Sequence, residues 1–147
     1  MISGLVAKIE IEINTDVSIV WNALIDPELI KQYLFGTEAI SDWKVGSPII
    51  FRGSWEGKFY EDKGLILKSE TNKIFEYAYW TAFSGLEDKI ENYVDITYEL
   101  EGKGLSTLLV VSQGGVDNEE MVTGVSENWK VVLQGLKKVV EESTNQQ

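Results

Sequence analysis

The sequence contains neither cysteine nor histidine. Disulfide bonds, thiol nucleophiles, zinc sites built on cysteine or histidine, and acid–base catalysis by imidazole are therefore all excluded. These absences remove most of the common hydrolase mechanisms. We accordingly assign no catalytic residue, no metal ligand and no cofactor from the sequence, and our leading expectation is a protein that is not an enzyme.

Basic residues are also scarce, since 13 lysines and arginines stand against 24 acidic residues and leave a formal charge of −11. Such a charge repels phosphate backbones and anionic lipid surfaces, so neither nucleic acid nor a membrane is an expected partner. No stretch approaches the roughly 18 apolar residues of a membrane helix, and no basic leader precedes an apolar run. We expect a cytoplasmic protein with a single domain at residues 1–142 and a flexible tail at 143–147.

The end of the sequence carries the strongest periodic pattern. Apolar residues recur there at spacings of three and four, which predicts an amphipathic helix from Asn118, a suitable N-cap residue, to Glu142. Its apolar face consists of Met121, Val122, Val125, Trp129, Val132, Leu133, Leu136, Val139 and Val140. At ~1.5 Å per residue the helix crosses a whole domain of this size, so it must lie on a large apolar surface.

Most of the remaining chain has the pattern of strands. Residues 5–13 alternate apolar and polar side chains, as a half-buried strand does, and two short helices follow with Asp16 and Asp26 as N-caps and Pro27 in the first turn. Turn residues then separate six predicted strands, at 38–41, 49–54, 59–69, 73–83, 92–101 and 105–113. We therefore predict an α+β fold in which a curved antiparallel sheet of about seven strands wraps around the C-terminal helix.

Six short strings, in this order, resemble those of a known family. They are VWNALIDPE at residues 20–28, WKVG at 43–46, KGLILK at 63–68, KIFEY at 73–77, LSTLLV at 105–110, and NW at 128–129 with Leu133 and Leu136 beyond it. With the order of elements, they resemble the START-like SRPBCC superfamily, whose helix-grip fold is also called Bet v-like. Within it, they resemble homologues of the activator of the heat-shock protein 90 ATPase, of the C-terminal-domain type.

The resemblance implies two kinds of partner. Proteins of the superfamily hold lipids, polyketides or flavonoid-like metabolites in a hydrophobic cavity between the sheet and the long helix. The narrower family implies a chaperone partner and a role in the stress response.

Large side chains at inward positions are the candidates for the walls of such a cavity. The predicted lining is Phe51, Tyr77, Tyr79, Tyr98, Met121, Val125 and Trp129. The same residues would equally suit a filled core. Gly124 and Gly135 favour the cavity, because a glycine inside a helix costs ~1 kcal/mol relative to alanine and indicates close packing or vacated space.

Three functions are compatible with these observations. The leading hypothesis is non-enzymatic binding of a small hydrophobic ligand. The first alternative is a co-chaperone-like domain acting on the heat-shock protein 90 ATPase. The second is a polyketide cyclase or aromatase-like enzyme, which would need Arg52, Glu76 or a tyrosine inside the cavity. Strand parity favours a solvent-facing Arg52, since it alternates with an inward Phe51.

Overall fold

The computed structural model describes residues 4–145, with side chains as far as residue 142. Its elements follow the predicted order of one strand, two short helices, six strands and one long helix. They are β1 (Leu5–Ile13), α1 (Val17–Ile25), α2 (Pro27–Tyr33), β2 (Glu38–Ser41), β3 (Pro48–Trp55), β4 (Lys58–Glu70), β5 (Ile74–Trp80), β6 (Val94–Gly102), β7 (Thr107–Val116) and α3 (Glu119–Asn145). Two short 3-10 turns, Ala82–Ser84 and Ile90–Asn92, connect β5 to β6.

The seven strands of the described chain form one antiparallel sheet in the order β1-β7-β6-β5-β4-β3-β2. The first strand pairs with the last, whereas β2 lies at the opposite edge beside β3. Because α1 and α2 connect β1 to β2, the chain passes from one edge of the sheet to the other through these two helices. The predicted helix-grip architecture is confirmed.

The helix starts follow from their capping residues, as predicted. Each N-cap side chain accepts a backbone hydrogen bond: Asp16 from Ser18 at 3.2 Å, Asp26 from Glu28 at 3.0 Å, and Asn118 from Met121 at 2.9 Å. Each bond satisfies one of the free N–H groups at the start of a helix.

Three element ends lie three residues from their predicted positions, and the other strand ends differ by at most two residues. The seventh strand ends at Val116 and not at residue 113. The fifth strand ends at Trp80 and not at residue 83, because Thr81 caps the 3-10 turn that begins at Ala82. The long helix extends to Asn145, beyond the predicted end at Glu142. Residues 146 and 147 of the predicted tail lie outside the described residues.

The long helix is buried along only part of its apolar face. Trp129 is the first residue of α3 to be buried, and Val132, Leu133, Leu136 and Val140 continue the contact with the core. The turns before Trp129 are exposed or half-buried on every side. The inner face of the sheet therefore packs against the second half of α3. No helix in the described part of the chain is long and apolar enough to cross a membrane.

The two glycines of α3 have different surroundings. A Cβ atom at Gly135 would lie 3.5 Å from the Cβ of Tyr33, so this glycine marks a close approach of α3 to α2. A Cβ atom at Gly124 would meet no other atom within 4 Å. Close packing therefore accounts for Gly135, whereas Gly124 lies on an exposed turn of α3.

Candidate functional site

A cavity of about 310 Å³ lies between the inner face of the sheet and α3. Half of its sixteen lining residues are aromatic: Phe35, Phe51, Trp55, Tyr60, Tyr77, Tyr79, Phe83 and Trp129. The other eight are Leu34, Thr37, Asp62, Thr81, Ile96, Gln113, Asn128 and Val132. The cavity therefore combines a mainly apolar wall with a few polar groups, as small-molecule sites do.

The mouth of the cavity is formed by exposed aromatic side chains. Phe35, Trp55 and Phe83 are each more than half exposed, and with Asn128 they enclose a further space of about 310 Å³. All four residues also line the inner cavity. A molecule entering from solvent would thus pass between three aromatic rings before it reaches the interior.

The hairpin between β3 and β4 supplies one wall of the cavity. Phe51 pairs with Asp62 across the two strands, and Gly53 pairs with Tyr60. A Cβ atom at position 53 would lie only 2.7 Å from the Tyr60 hydroxyl oxygen, so glycine leaves the space that this ring occupies. Trp55 shares the parity of Phe51 and extends the same wall to the mouth.

The aromatic rings of the wall contact one another. The ring of Phe51 lies 5.8 Å from Tyr77 and 5.8 Å from Tyr79, centroid to centroid, with the second contact edge to face. The indole of Trp129 meets Tyr98 edge to face at 5.8 Å. These are favourable geometries for aromatic pairs, and they hold the rings in place without a ligand.

Asp62 is a buried carboxylate on the cavity wall, with 5% of its surface exposed. The Tyr79 hydroxyl donates a hydrogen bond to Oδ2 at 2.7 Å, and the Ala82 N–H donates one to Oδ1 at 3.0 Å. Burial, followed by the neighbouring Asp62 charge, raises the pKa of Tyr79 well above its usual range. Tyr79 is therefore a neutral phenol whose proton is directed at the carboxylate.

Two further hydrogen bonds orient polar groups of the lining. The hydroxyl groups of Thr37 and Tyr60 bond to each other. On the other side, the Trp129 indole N–H donates to the Gln113 side-chain oxygen at 2.9 Å, which links α3 to β7. The ring of Trp129 is thereby held against the sheet at the edge of the cavity.

A family model described as "Activator of Hsp90 ATPase homolog 1-like protein" matches residues 14–141, which include every element from α1 to the end of the core contact of α3. The chain belongs to this family. None of the curated proteins matches the chain.

Solved structures share the fold of this member of the Hsp90 ATPase activator homologue family. A Cytophaga hutchinsonii protein is 37% identical over 99% of both chains, with a TM-score of 0.84. The Aha1 dimer from Colwellia psychrerythraea is 16% identical, with a TM-score of 0.73 over 93% of this chain and 96% of that one. CalU16 from Micromonospora echinospora is 20% identical, with a TM-score of 0.70 over 96% of this chain and 79% of that one. The last two comparisons concern the fold alone.

In this family member, four of the seven residues predicted to line a cavity do line it, namely Phe51, Tyr77, Tyr79 and Trp129. Tyr98 lies in the core beside it, next to a void of only about 10 Å³. Met121 is 47% exposed, and Val125 packs at the edge of the core; neither is among the lining residues. Both precede Trp129, where the burial of α3 begins.

Two of the candidate residues for an enzymatic function, Arg52 and Glu76, lie on the outer face of the sheet. Arg52 is exposed and lies across from Glu38 and Glu61 on the neighbouring strands. Glu76 is half-buried on that face and accepts a hydrogen bond from Thr97 at 2.7 Å. Tyrosine hydroxyls are the remaining candidates of that alternative inside the cavity. Among the described residues, no cluster of acidic side chains is grouped so that it could hold a metal ion.

Sequence reasoning missed several lining residues for which a signal existed. Trp55 has the same parity as Phe51, so the inward face of β3 extends to it. Tyr60 and Asp62 share a parity on β4 with the buried Ile66, and a charged residue at such a position marks a possible polar site. Phe83 has the parity of Tyr77 and Tyr79 in the predicted strand, but it lies in the 3-10 turn after β5, so strand parity is not the reason for its place in the lining.

Proposed function

We propose that this protein binds a small, largely apolar molecule in the cavity between its sheet and α3 and does not transform it chemically. The observation that carries the proposal is the cavity of about 310 Å³, half of whose lining residues are aromatic. Ligand sites in proteins generally fall between about 300 and 1,000 Å³ and combine apolar walls with a few placed polar groups.

The volume restricts the size of the molecule. An apolar protein cavity of about 150 Å³ accommodates benzene, so an inner space of about 310 Å³ corresponds to roughly two fused rings. A longer molecule would extend through the mouth between Phe35, Trp55 and Phe83. A lipid-like ligand would therefore place only part of its length inside, whereas a compact bicyclic compound would fit entirely.

The distribution of ionisable groups supports binding without catalysis. Asp62 and the tyrosines are the acid–base groups of the lining, and Tyr77 and Tyr79 both have a pKa raised by burial well above the usual range. The phenols of Tyr77 and Tyr79 therefore titrate too far from neutral pH to exchange protons with a ligand efficiently.

Titration with the neutral dye N-phenyl-1-naphthylamine tests the proposal, because its fluorescence increases in an apolar site. Val132 lines the cavity, and its neighbour Val131 is 58% exposed on the same helix. Val132→Phe should place its ring in the cavity and weaken dye binding by about tenfold or more, whereas Val131→Phe should leave it unchanged. Circular dichroism would verify that both variants are folded.

The absence of saturable dye binding to the wild type would contradict the proposal. Equal binding by the two valine variants would show that the dye occupies another surface. If Val132→Phe does not fold, Asn128→Trp at the exposed mouth provides a second block, since Asn128 borders both the inner cavity and the mouth.

A co-chaperone role is the second candidate, because the matching family is named for activation of the Hsp90 ATPase. This role would place the protein in the cytoplasmic stress response. Addition of the purified protein to the Hsp90 of its own organism should then raise the ATPase rate, and the two proteins should co-elute in gel filtration. An unchanged rate without co-elution would argue against this candidate and would leave ligand binding unaffected.

A further inference from the structure

We propose that the cavity selects against anions, and that its ligand is an uncharged or positively charged aromatic molecule whose hydrogen-bond donor is received by Asp62 and Tyr79. This inference rests on the proposed ligand-binding function and specifies its chemical class. It combines the placement of one buried carboxylate with the absence of positive charge from the cavity wall.

Asp62 is fixed in place by two different elements. Its Oδ2 accepts from the Tyr79 hydroxyl on β5, and its Oδ1 accepts from the Ala82 N–H in the following 3-10 turn. A buried carboxylate without such bonds would be very unfavourable, so these two donors explain how the carboxylate is tolerated there. Each carboxylate oxygen can accept a second hydrogen bond, and Asp62 is one of the lining residues.

Tyr79 adds a further acceptor at the same place. Its proton is directed at Asp62, and its oxygen also has a side-chain hydrogen bond with Thr81, so one lone pair of the Tyr79 oxygen is left as an acceptor for another donor. Burial, and then the Asp62 charge, hold its pKa far above the usual range, so the hydroxyl keeps its proton under ordinary conditions. This part of the wall thus presents acceptors, and the complementary ligand group is a donor such as a hydroxyl, an amine or an ammonium.

The described residues of the wall carry no positive charge. None of the lining residues in the described part of the chain is a lysine or an arginine, and the whole chain carries a formal charge of −11. A carboxylate or sulfonate in the cavity would have no cation to pair with, and it would lie near Asp62 in a poorly solvated space. Like charges brought together in this way strongly disfavour binding.

The aromatic walls favour the same class of ligand. Eight rings surround the space, and flat aromatic molecules can pack against them edge to face or in offset stacks. The negative faces of these rings also attract a cation, whereas they do not attract an anion. The volume of about 310 Å³ matches a naphthalene ring system bearing one small substituent.

Three naphthalene derivatives of nearly equal size provide the test. They are 2-naphthol, which is neutral with a hydroxyl donor, 2-naphthylmethylammonium, which is a cation, and 2-naphthoate, which is an anion at neutral pH. Calorimetry at physiological salt should show that the first two bind and that the naphthoate binds about tenfold more weakly, or not at all.

A matched pair of variants assigns the selectivity to one carboxylate. Asp62→Asn keeps an oxygen for the Ala82 N–H and removes the charge. It should therefore reduce the ratio of the dissociation constants of naphthoate and the ammonium compound by about tenfold. Glu61→Gln removes a negative charge from the adjacent residue, which is exposed. It should leave the ratio of the two dissociation constants at its wild-type value.

The possible results separate this inference from the function on which it rests. If none of the three compounds binds, the proposed ligand-binding function fails. If all bind and naphthoate binds as tightly as 2-naphthol, the cavity is a ligand site but the charge selectivity is wrong. If the ratio of the dissociation constants of naphthoate and the ammonium compound is the same in Asp62→Asn as in the wild type, Asp62 is not the cause of the selectivity against anions. Should that variant not fold, the wild-type ratio alone decides whether anions are excluded.

Discussion

Truncation of Trp129 measures how α3 is packed where it meets the cavity. The indole is 7% exposed, contacts Tyr98 edge to face at 5.8 Å, and donates a hydrogen bond to Gln113 at 2.9 Å. One side of the ring packs on the sheet, and another borders the cavity of about 310 Å³. The free-energy cost of Trp129→Ala therefore distinguishes a residue packed on all sides from one that faces empty space.

The expected magnitude follows from these contacts. A buried tryptophan removes about 150–250 Å² from water, and a loss of roughly 120 Å² on truncation costs about 3 kcal/mol at ~25 cal/mol per Å². The hydrogen bond contributes about 1 kcal/mol. Since part of the ring faces space that is already empty, we expect about 3 kcal/mol in total, compared with up to about 5 kcal/mol for a tryptophan in a filled core. Trp129→Phe should cost about 1–2 kcal/mol.

Urea unfolding followed by circular dichroism gives the free energy of unfolding for each variant. Val131→Ala on the same helix is the control and should change it by less than about 0.5 kcal/mol, because Val131 is 58% exposed. A loss of about 5 kcal/mol or more for Trp129→Ala would show that the ring has no empty space beside it. A loss below about 1 kcal/mol would contradict the packing of α3 on the sheet.

Three other substitutions test separate features of the fold. Gly124→Ala should raise the free energy of unfolding by about 0.5–1 kcal/mol, because the added methyl group meets no atom within 4 Å and alanine favours the helix. Tyr33→Phe should lower it by about 1–2 kcal/mol, since the buried hydroxyl donates to a backbone carbonyl of α1 at 2.7 Å. Burial raises the pKa of Glu141, but hydrogen bonds from Lys137 and from a backbone N–H of the β1–α1 connection outweigh it and lower that pKa. Because a lowered folded-state pKa stabilises the protein above the unfolded value of about 4.5, Glu141→Gln should be less stable than wild type at pH 7, and this difference should disappear as the pH falls below that value.

Each of these substitutions has a matched control, and urea unfolding is the measurement for all. Gly135→Ala should raise the free energy of unfolding by less than Gly124→Ala does, because its methyl group would contact Tyr33. Tyr93→Phe should cost less than about 0.5 kcal/mol, since that hydroxyl bonds only to an exposed carboxylate. Glu142 is exposed, so the free energy of unfolding of Glu142→Gln should not differ from that of the wild type in a pH-dependent way. If the free energy of unfolding of Glu141→Gln stays below that of the wild type by the same amount down to pH 3, the hydrogen-bonded carboxylate is not the cause of the lower stability.

The predictions that succeeded concern features determined by neighbouring residues. Alternation along β5 correctly placed Phe75, Tyr77 and Tyr79 on the inner face, and Asp16 and Asp26 correctly marked the helix starts. These signals depend on a strand period of two and on local capping bonds, which residues close in the sequence create by themselves. They are therefore visible without the fold.

The cavity depended on relations that local patterns do not contain. Met121 and Val125 continue the apolar stripe of α3, and no local rule shows that the burial of this stripe begins only at Trp129. From the sequence, Gly124 favours vacated space, yet it lies on an exposed turn of α3 and is not among the lining residues of the cavity. How far a helix reaches beyond its sheet depends on contacts between elements distant in the sequence.

The sequence by itself determined the order of the elements, the parity of the inner face and the classes of chemistry that a chain without cysteine or histidine cannot perform. Tertiary structure alone decided that the segment after α2, the β3–β4 hairpin, the 3-10 turn after β5 and the part of α3 around Asn128 leave an opening between them. It also decided that Asp62 meets Tyr79 there, at a distance of 2.7 Å between their oxygens. The physical reason is that secondary structure follows from local periodicity, whereas a cavity is the space that packing between distant elements does not fill.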